Sequence, residues 1–292
     1  MIYEEITKNK WKSFFLVFLF FIFVIVIGYL CGIIFQWGYF AVVMAVIIAI
    51  IMTLVSYYSG DKIVLSTSKA RLAKTQEFPF YVHSVEGLAI AAGIPKPTAY
   101  VIDSEAMNAF ATGKDPKSAS VCVTTGLLKK LSREELEGVI AHELSHVKNY
   151  DIRIMMLAAV LVGILVILSD VMFRNMLWSS SSNNGRKGVH PVVMVIGLAL
   201  IILSPFIANI IKLAISRKRE FLADANGALL TRYPKGLADA LRKISHDHNE
   251  MKSASNATAH LFISNPFKKG FTSNLFSTHP PIEERIKRLE KM

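Results

Sequence analysis

Ala141-His142-Glu143-Leu144-Ser145-His146 is the stretch of this chain whose residue types and spacing can do chemistry. On a helix, His142 and His146 stand at i and i+4 and share one face, so two imidazole nitrogens can reach a single Zn²⁺ ion. Glu143 falls beside them, where a carboxylate can take a proton from an attacking water and pass it to a leaving amine. Two imidazoles do not complete a catalytic zinc site. A third protein donor is needed, with the fourth position left open.

Ser216-Arg217-Lys218-Arg219-Glu220-Phe221-Leu222-Ala223-Asp224 offers that donor. Glu220 and Asp224 are again i and i+4, hence on one helix face. Glu220 could bind the metal while Asp224 accepts the N–H of a coordinating imidazole and fixes its tautomer. The competing reading is an amphipathic helix beside a membrane whose acids balance its arginines, and spacing alone weighs the two about equally. A developing oxyanion also wants a donor, for which Arg217, Arg219 and His279 are the candidates in the last segment. His246 and His248 read better as the solvated end of an amphipathic helix, and His83, His190 and His260 stand alone.

The elements that must position these residues begin with composition. Of 292 residues, 52% are hydrophobic and 19% charged, fewer charges than the roughly 25% of an ordinary soluble domain. The deficit is concentrated in apolar blocks. The net charge of +11 would suit nucleic acid or the cytoplasmic flanks of a membrane protein. The chain lacks a nucleic-acid-binding signature, so a lipid bilayer is the expected partner and nucleic acid is not. Cys31 and Cys122 define no disulfide framework and read as two buried thiols.

No charged residue occurs from Ser13 to Gly60. As one helix this block would run roughly 72 Å, more than twice the ~30 Å hydrocarbon core, so it must fold back. Gln36-Trp37-Gly38 is the corner, between spans at about 14–35 and 39–58. Two further apolar runs, Ile154 to Phe173 and Val192 to Ile211, enclose a Ser/Asn/Gly-rich loop at 174–191. Basic residues crowd one side of these spans: Lys8, Lys10 and Lys12 before the first, Lys62 to Lys74, Lys148 and Arg153 around the middle segment, and Lys212 to Arg219 after the last. The opposite side has only Arg174, Arg186 and Lys187 near the span ends. This asymmetry predicts that both termini and the catalytic segment face the cytoplasm. An even number of spans then separates His146 from Glu220, which lets the two meet on one side.

The chain thus divides into a membrane hairpin (1–58), a first soluble segment (59–153), a second hairpin (154–211) and a second soluble segment (212–292). The expected fold class is mainly α, with four transmembrane helices and a cytoplasmic α+β zincin-like domain containing a small sheet. Within 59–153, Phe78 to Gly93 reads as a helix with Pro79 in its first turn. Thr98–Ile102, Met107–Ala111 and Ser120–Thr125 read as strands, and Asn108-Ala109-Phe110 lies on one that could be an edge. Ser132-Arg133-Glu134-Glu135 is a capping box, and the helix it starts carries the two histidines. Helices are expected over Ser216–Leu230, Pro234–Ile244 and Pro281–Leu289. Asn249–Ser277 reads as a long irregular stretch of the kind that forms lids or stays disordered.

Five blocks in this order resemble the HtpX family of membrane zinc metalloproteases, relatives of the CAAX prenyl proteases. They are Asn108 to Gly113; Thr125-Gly126-Leu127-Leu128; Ala141 to His146 with Asn149 and Asp151; Ser216 to Glu220 with Ala223-Asp224; and Thr278-His279-Pro280-Pro281 with Arg285-Ile286. The resemblance implies four spans, an active site at the cytoplasmic face of a bacterial plasma membrane, and cleavage of damaged membrane proteins and other polypeptides. It assigns one Zn²⁺ to His142, His146 and Glu220, general-base work to Glu143, and transition-state stabilisation to His279 with Arg217 nearby. It makes Asp224 the partner of a coordinating histidine, and Asn108, Ala109 and Phe110 an edge that a substrate strand could extend. The alternative from another class is a transporter or scaffold with a structural metal, which would need a fourth protein donor.

Overall fold

The computed structural model describes residues 2–34, 36–164, 216–251, 254–255, 257–267 and 280–292. Helix α1 (Ile2–Ile34) and helix α2 (Tyr39–Thr67) form an antiparallel hairpin that turns at Gln36-Trp37-Gly38. Both are long and apolar enough to cross a membrane. Their large side chains, among them Phe14, Phe18, Ile22, Val43, Ile47 and Ile51, are mostly exposed, as suits helices solvated by lipid tails. Small residues meet instead between the helices. Ala41, Ala45 and Ala49 are buried on α2, and a Cβ added at Gly28 would stand 2.3 Å from the Ala45 Cβ. Close backbone approach and van der Waals contact hold this pairing.

Helix α2 does not stop near residue 58, as expected from hydropathy, but runs on through Asp61 and Lys62 to Thr67. Its buried residues continue at helical spacing through Ser56, Gly60 and Val64, so the same face passes from helix partner to protein core. A helix satisfies its own backbone, and nothing compels it to end where the apolar sequence does.

The polar part of the chain builds a four-stranded mixed sheet from β1 (Arg71–Leu72), β2 (Thr98–Ile102), β3 (Ala109–Thr112) and β4 (Ser120–Thr124), in the order β1-β2-β4-β3. β2 and β4 are parallel, and the other pairings are antiparallel. β3 begins at Ala109 and not at Met107 because the Met107 N–H donates to the Asp247 carboxylate at 2.7 Å instead of entering a ladder. β4 ends at Thr124 because that side chain caps helix α4 (Thr125–Lys130) by accepting the Leu127 N–H.

Helix α3 (Pro79–Ala92) ends at Gly93, and helix α5 (Arg133–Lys148) starts on the Ser132–Glu135 capping box with both of its hydrogen bonds formed. α5 is the central helix. It packs against α3, against β3 and β4, and against two helices from the far end of the chain, α7 (Arg217–Thr231) and α8 (Pro234–His246). Between them in sequence, 151–164 forms helix α6, and residues 154–162 on it are buried against Leu16, Phe20, Phe110 and Phe262. The remainder of the third apolar run, the loop at 174–191 with His190, and the fourth run lie outside the described residues. Helix α9 (Ile282–Leu289) closes the chain against α8. Part of the expected irregular stretch is ordered by burial: a 3-10 turn at Ala259–Leu261 leads into Phe262 and Ile263, all packed in the core.

Replacing Gly28 by Leu should lower the thermal unfolding midpoint of the detergent-solubilised protein, with an overpacking cost of about 1–3 kcal/mol. An unchanged midpoint would contradict the close approach of α1 and α2.

Candidate metal centre

Helices α5 and α7 come together through Gly227. A Cβ there would stand 3.0 Å from the His142 backbone nitrogen, so glycine allows α7 to lie directly on the histidine helix. That approach carries Glu220, on the first turn of α7, to the imidazoles. His142 Nε2 and His146 Nε2 are 3.3 Å apart. Glu220 Oε2 is 3.8 Å from the first, and Glu220 Oε1 is 3.6 Å from the second. Donors bound tetrahedrally at the usual Zn–N and Zn–O lengths of about 2.0–2.2 Å stand roughly 3.3–3.6 Å from one another. The three donors therefore fit one tetrahedral cation with a small adjustment at Glu220. All three residues are buried.

The other nitrogen of each ring is held by a carboxylate. His142 Nδ1 lies 3.0 Å from Asp224 Oδ1, and His146 Nδ1 lies 2.9 Å from Asp151 Oδ2. Each carboxylate accepts the Nδ1–H and leaves Nε2 with its lone pair toward the centre, the tautomer that metal binding requires. Both carboxylates are themselves held. Arg285 is fully buried and donates to Asp224 through Nε at 2.8 Å and Nη2 at 2.7 Å, a two-pronged pair. Asp151 Oδ1 accepts from Asn9 Nδ2 at 2.7 Å and from Arg219 Nη1 at 3.4 Å.

The electrostatics differ between the two histidines. Burial pulls His142 down to about 4, with the Asp224 hydrogen bond opposing it and the Arg285 charge reinforcing it. Burial also acts against charge on His146, but the Asp151 hydrogen bond and the Glu220, Asp151 and Glu143 charges outweigh it and raise that imidazole to about 9. Asp224 loses hydration by burial, yet the Arg285 charge and its hydrogen bonds hold it down at about 2. Around the centre, the carboxylates of Glu143, Asp151, Glu220 and Asp224 and the guanidiniums of Arg219 and Arg285 are all buried.

Of the other residues singled out from the sequence, Glu143 is buried beside His142 on α5. Arg217 is exposed at the start of α7, and Arg219 takes the buried position two residues on. His279 lies outside the described residues. Asn108, Ala109 and Phe110 are buried at the β3 edge of the sheet, and the chain itself already occupies part of that edge. The Ile263 N–H donates to the Ala109 carbonyl at 2.9 Å, and the Asn108 side chain donates to and accepts from the Ser264 backbone. Phe262 packs edge-on against Phe110 at 5.1 Å. His246 and His248 are exposed, and His260 is buried with Nε2 against the Met155 carbonyl. Cys122 is a buried free thiol that burial pushes well above its ordinary range. Sequence reasoning passed over three residues around the site. Asp151 and Arg285 stood within the quoted blocks without a role, whereas Asn9 had no signal beyond being an uncharged polar residue between Lys8 and Lys10.

Arg285→Leu should destabilise the fold by about 3–5 kcal/mol, because it leaves the Asp224 carboxylate buried without its guanidinium. Chemical denaturation of the purified protein measures this, and a loss below 1 kcal/mol would contradict the pairing. Arg285→Lys, which keeps the charge but not the fork, should fall between the two.

The sequence model of Peptidase family M48 matches residues 79–292. A curated protease HtpX homolog of Dictyoglomus thermophilum is 48% identical over 290 residues, covering 99% of this chain and 94% of that protein. The corresponding protein of Thermoanaerobacter pseudethanolicus is 46% identical over 294 residues, covering 100% of this chain and 98% of the relative. That of Listeria monocytogenes is 41% identical and covers both chains in full. The crystal structure of S. mikatae Ste24p shares the fold with a TM-score of 0.53 at 22% identity, covering 98% of this chain and 67% of that one. Paired imidazoles, a carboxylate from a distant helix and full-length similarity to these proteases lead to one conclusion: the chain belongs to peptidase family M48, as a metalloprotease of the HtpX type.

Proposed function

We propose that this protein is a multi-pass zinc endopeptidase of a bacterial plasma membrane that cleaves damaged or misassembled membrane proteins at its cytoplasmic face. The observation that carries the reading is the convergence of His142 Nε2, His146 Nε2 and Glu220 on one buried point, each imidazole backed by a carboxylate. One zinc ion per chain would be held by His142, His146 and Glu220. The chemistry that a bound zinc supplies is a lowered pKa for water and polarisation of a scissile carbonyl.

The residues of the chain do the rest. Glu143 takes the proton of the attacking water and delivers it to the leaving amine. His279 and Arg217 stabilise the oxyanion that develops at the carbonyl. Asp224 and Asp151 keep the imidazole tautomers correct, and burial keeps bulk water from competing for their hydrogen bonds. A substrate strand extends the β3 edge at Asn108-Ala109-Phe110. Because Ile263 and Ser264 already bond to that edge, this docking requires their contacts to open or the peptide to enter beyond them.

The membrane part of the reading rests on α1 and α2, on the two further apolar runs, and on the basic residues gathered on one side. In this arrangement 1–58 and 154–211 are membrane hairpins, and 59–153 and 212–292 join as one cytoplasmic protease domain. The transporter or scaffold alternative with a structural metal needs a closed site. His246 and His248, two of the side chains that could have closed it, are exposed at the end of α8.

The test compares three purified proteins. Wild type should bind one zinc and cleave an unfolded membrane-protein reporter. Glu143→Ala should keep the zinc and lose proteolysis by about 10²- to 10⁴-fold, the usual contribution of a general base. Glu220→Ala should lose both. Retained proteolysis by Glu143→Ala would sink the mechanism, and zinc that survives chelation alongside an inactive wild type would favour the structural alternative. For orientation, a cysteine placed at Met292 should react with an impermeant maleimide only in inverted vesicles. Labelling from the outside of intact cells would reverse the assignment.

A further inference from the structure

We propose that Asn9, on the N-terminal membrane helix, is a positioning residue of the metal centre that sets the strength with which His146 holds its metal. The proposal rests on the reading of His146 as a zinc donor. The Asn9 side chain is buried, 1% exposed, near the start of a helix that turns Trp11, Phe14, Phe15 and Phe18 outward. Its Nδ2 donates to Asp151 Oδ1 at 2.7 Å and to the Asn149 carbonyl at 2.9 Å. Its Oδ1 accepts from Arg219 Nη1 at 3.4 Å. Two acceptors on one side and a guanidinium on the other fix which end of the amide is nitrogen. The same Asp151 accepts the His146 Nδ1–H on its other oxygen at 2.9 Å.

The turn that aims Asp151 also depends on α1. Tyr150, between Asn149 and Asp151, has φ of 60°, a left-handed conformation that a bulky residue keeps only when its surroundings impose it. Asn9 bonds to the residues on both sides of it, and the Lys10 ammonium sits 4.8 Å from the Tyr150 ring centroid. One turn of the membrane helix thus holds the loop that orients a metal-binding imidazole. Outer hydrogen-bond partners of this kind raise the basicity of the coordinating ring and fix its direction. Removing Asn9 leaves Asp151 with Arg219 and His146, able to rotate.

The experiment is zinc affinity by competition with a chromogenic chelator, on the full-length protein in detergent. Asn9→Ala should weaken zinc binding about 10-fold, the lower end of what such partners contribute. Asn9→Asp, which keeps the shape but sets a carboxylate against Asp151, should weaken it further. Ser13→Ala is the control: Ser13 is a buried residue one turn on, whose hydroxyl donates to the Asn9 carbonyl within the helix. It should bind zinc like wild type. The metal-free unfolding midpoints of Asn9→Ala and Ser13→Ala should agree, which separates metal positioning from general packing. Unchanged zinc affinity in both Asn9 variants would overturn the proposal, and so would an equal loss in Ser13→Ala. If Asn9→Ala does not fold, the near-isosteric Asn9→Asp decides alone. Wild type that binds no zinc would overturn the zinc reading instead, a distinguishable failure.

Discussion

Buried charge is the constraint on which the rest of this structure depends. At the metal centre the carboxylates of Glu143, Asp151, Glu220 and Asp224 and the imidazoles of His142 and His146 are buried together with the guanidiniums of Arg219 and Arg285. Buried charges persist when they are paired and hydrogen-bonded, and an unpaired one is costly enough to unfold a domain of ordinary stability. Arg285 answers Asp224 with a two-pronged bond and Arg219 answers Asp151, while His142, His146 and Glu220 converge where a metal ion can sit. The opposite shifts of His142 and His146 start from the same burial: it carries His142 down, helped by the Arg285 charge, whereas around His146 the Asp151 hydrogen bond and the neighbouring carboxylates outweigh it.

That balance explains the long-range architecture. Its members come from α1, α5, the turn after α5, α7 and α9, so residues from nearly both ends of the chain must meet. Glycine at 227 lets α7 touch the histidine helix, and α9 inserts Arg285 between them. The central helix is fixed independently, by its capping box and by the sheet packed against its apolar side. A rigid, well-capped helix then presents two histidines in a fixed relation, and the distant carboxylate has to travel to them.

The membrane hairpin is part of the same construction. Its outward faces are apolar and its inner face is small, which suits helix pairing in lipid, yet Asn9 and the Gly60 end of α2 reach the protease core. A Cβ at Gly60 would crowd Met156 on α6, so the apolar hairpin also touches the helix leaving the metal centre. The β3 edge shows a comparable dual use. Segment 257–267 bonds to that edge through Ile263 and Ser264 and packs Phe262 on Phe110, so the edge proposed for substrate also anchors this segment.

Local chemistry was legible in the sequence. Hydrogen-bond caps, turn residues and side-chain periodicity act within a few residues, so Ser132 and Glu135 announced the histidine helix, Gly93 ended α3 and Gln36-Trp37-Gly38 broke the first apolar block. The i, i+4 pairs at His142/His146 and Glu220/Asp224 likewise displayed their shared faces. Tertiary structure decided what depends on separation in space. It brought Glu220 within 4 Å of both imidazoles, assigned Asp224 to His142 and Asp151 to His146, and buried Arg219 while leaving Arg217 exposed. It also drew Arg285 and Asn9 into the centre. No periodicity could reveal those two, because buried hydrogen bonds between residues 61 and 142 apart in sequence leave no pattern along the chain.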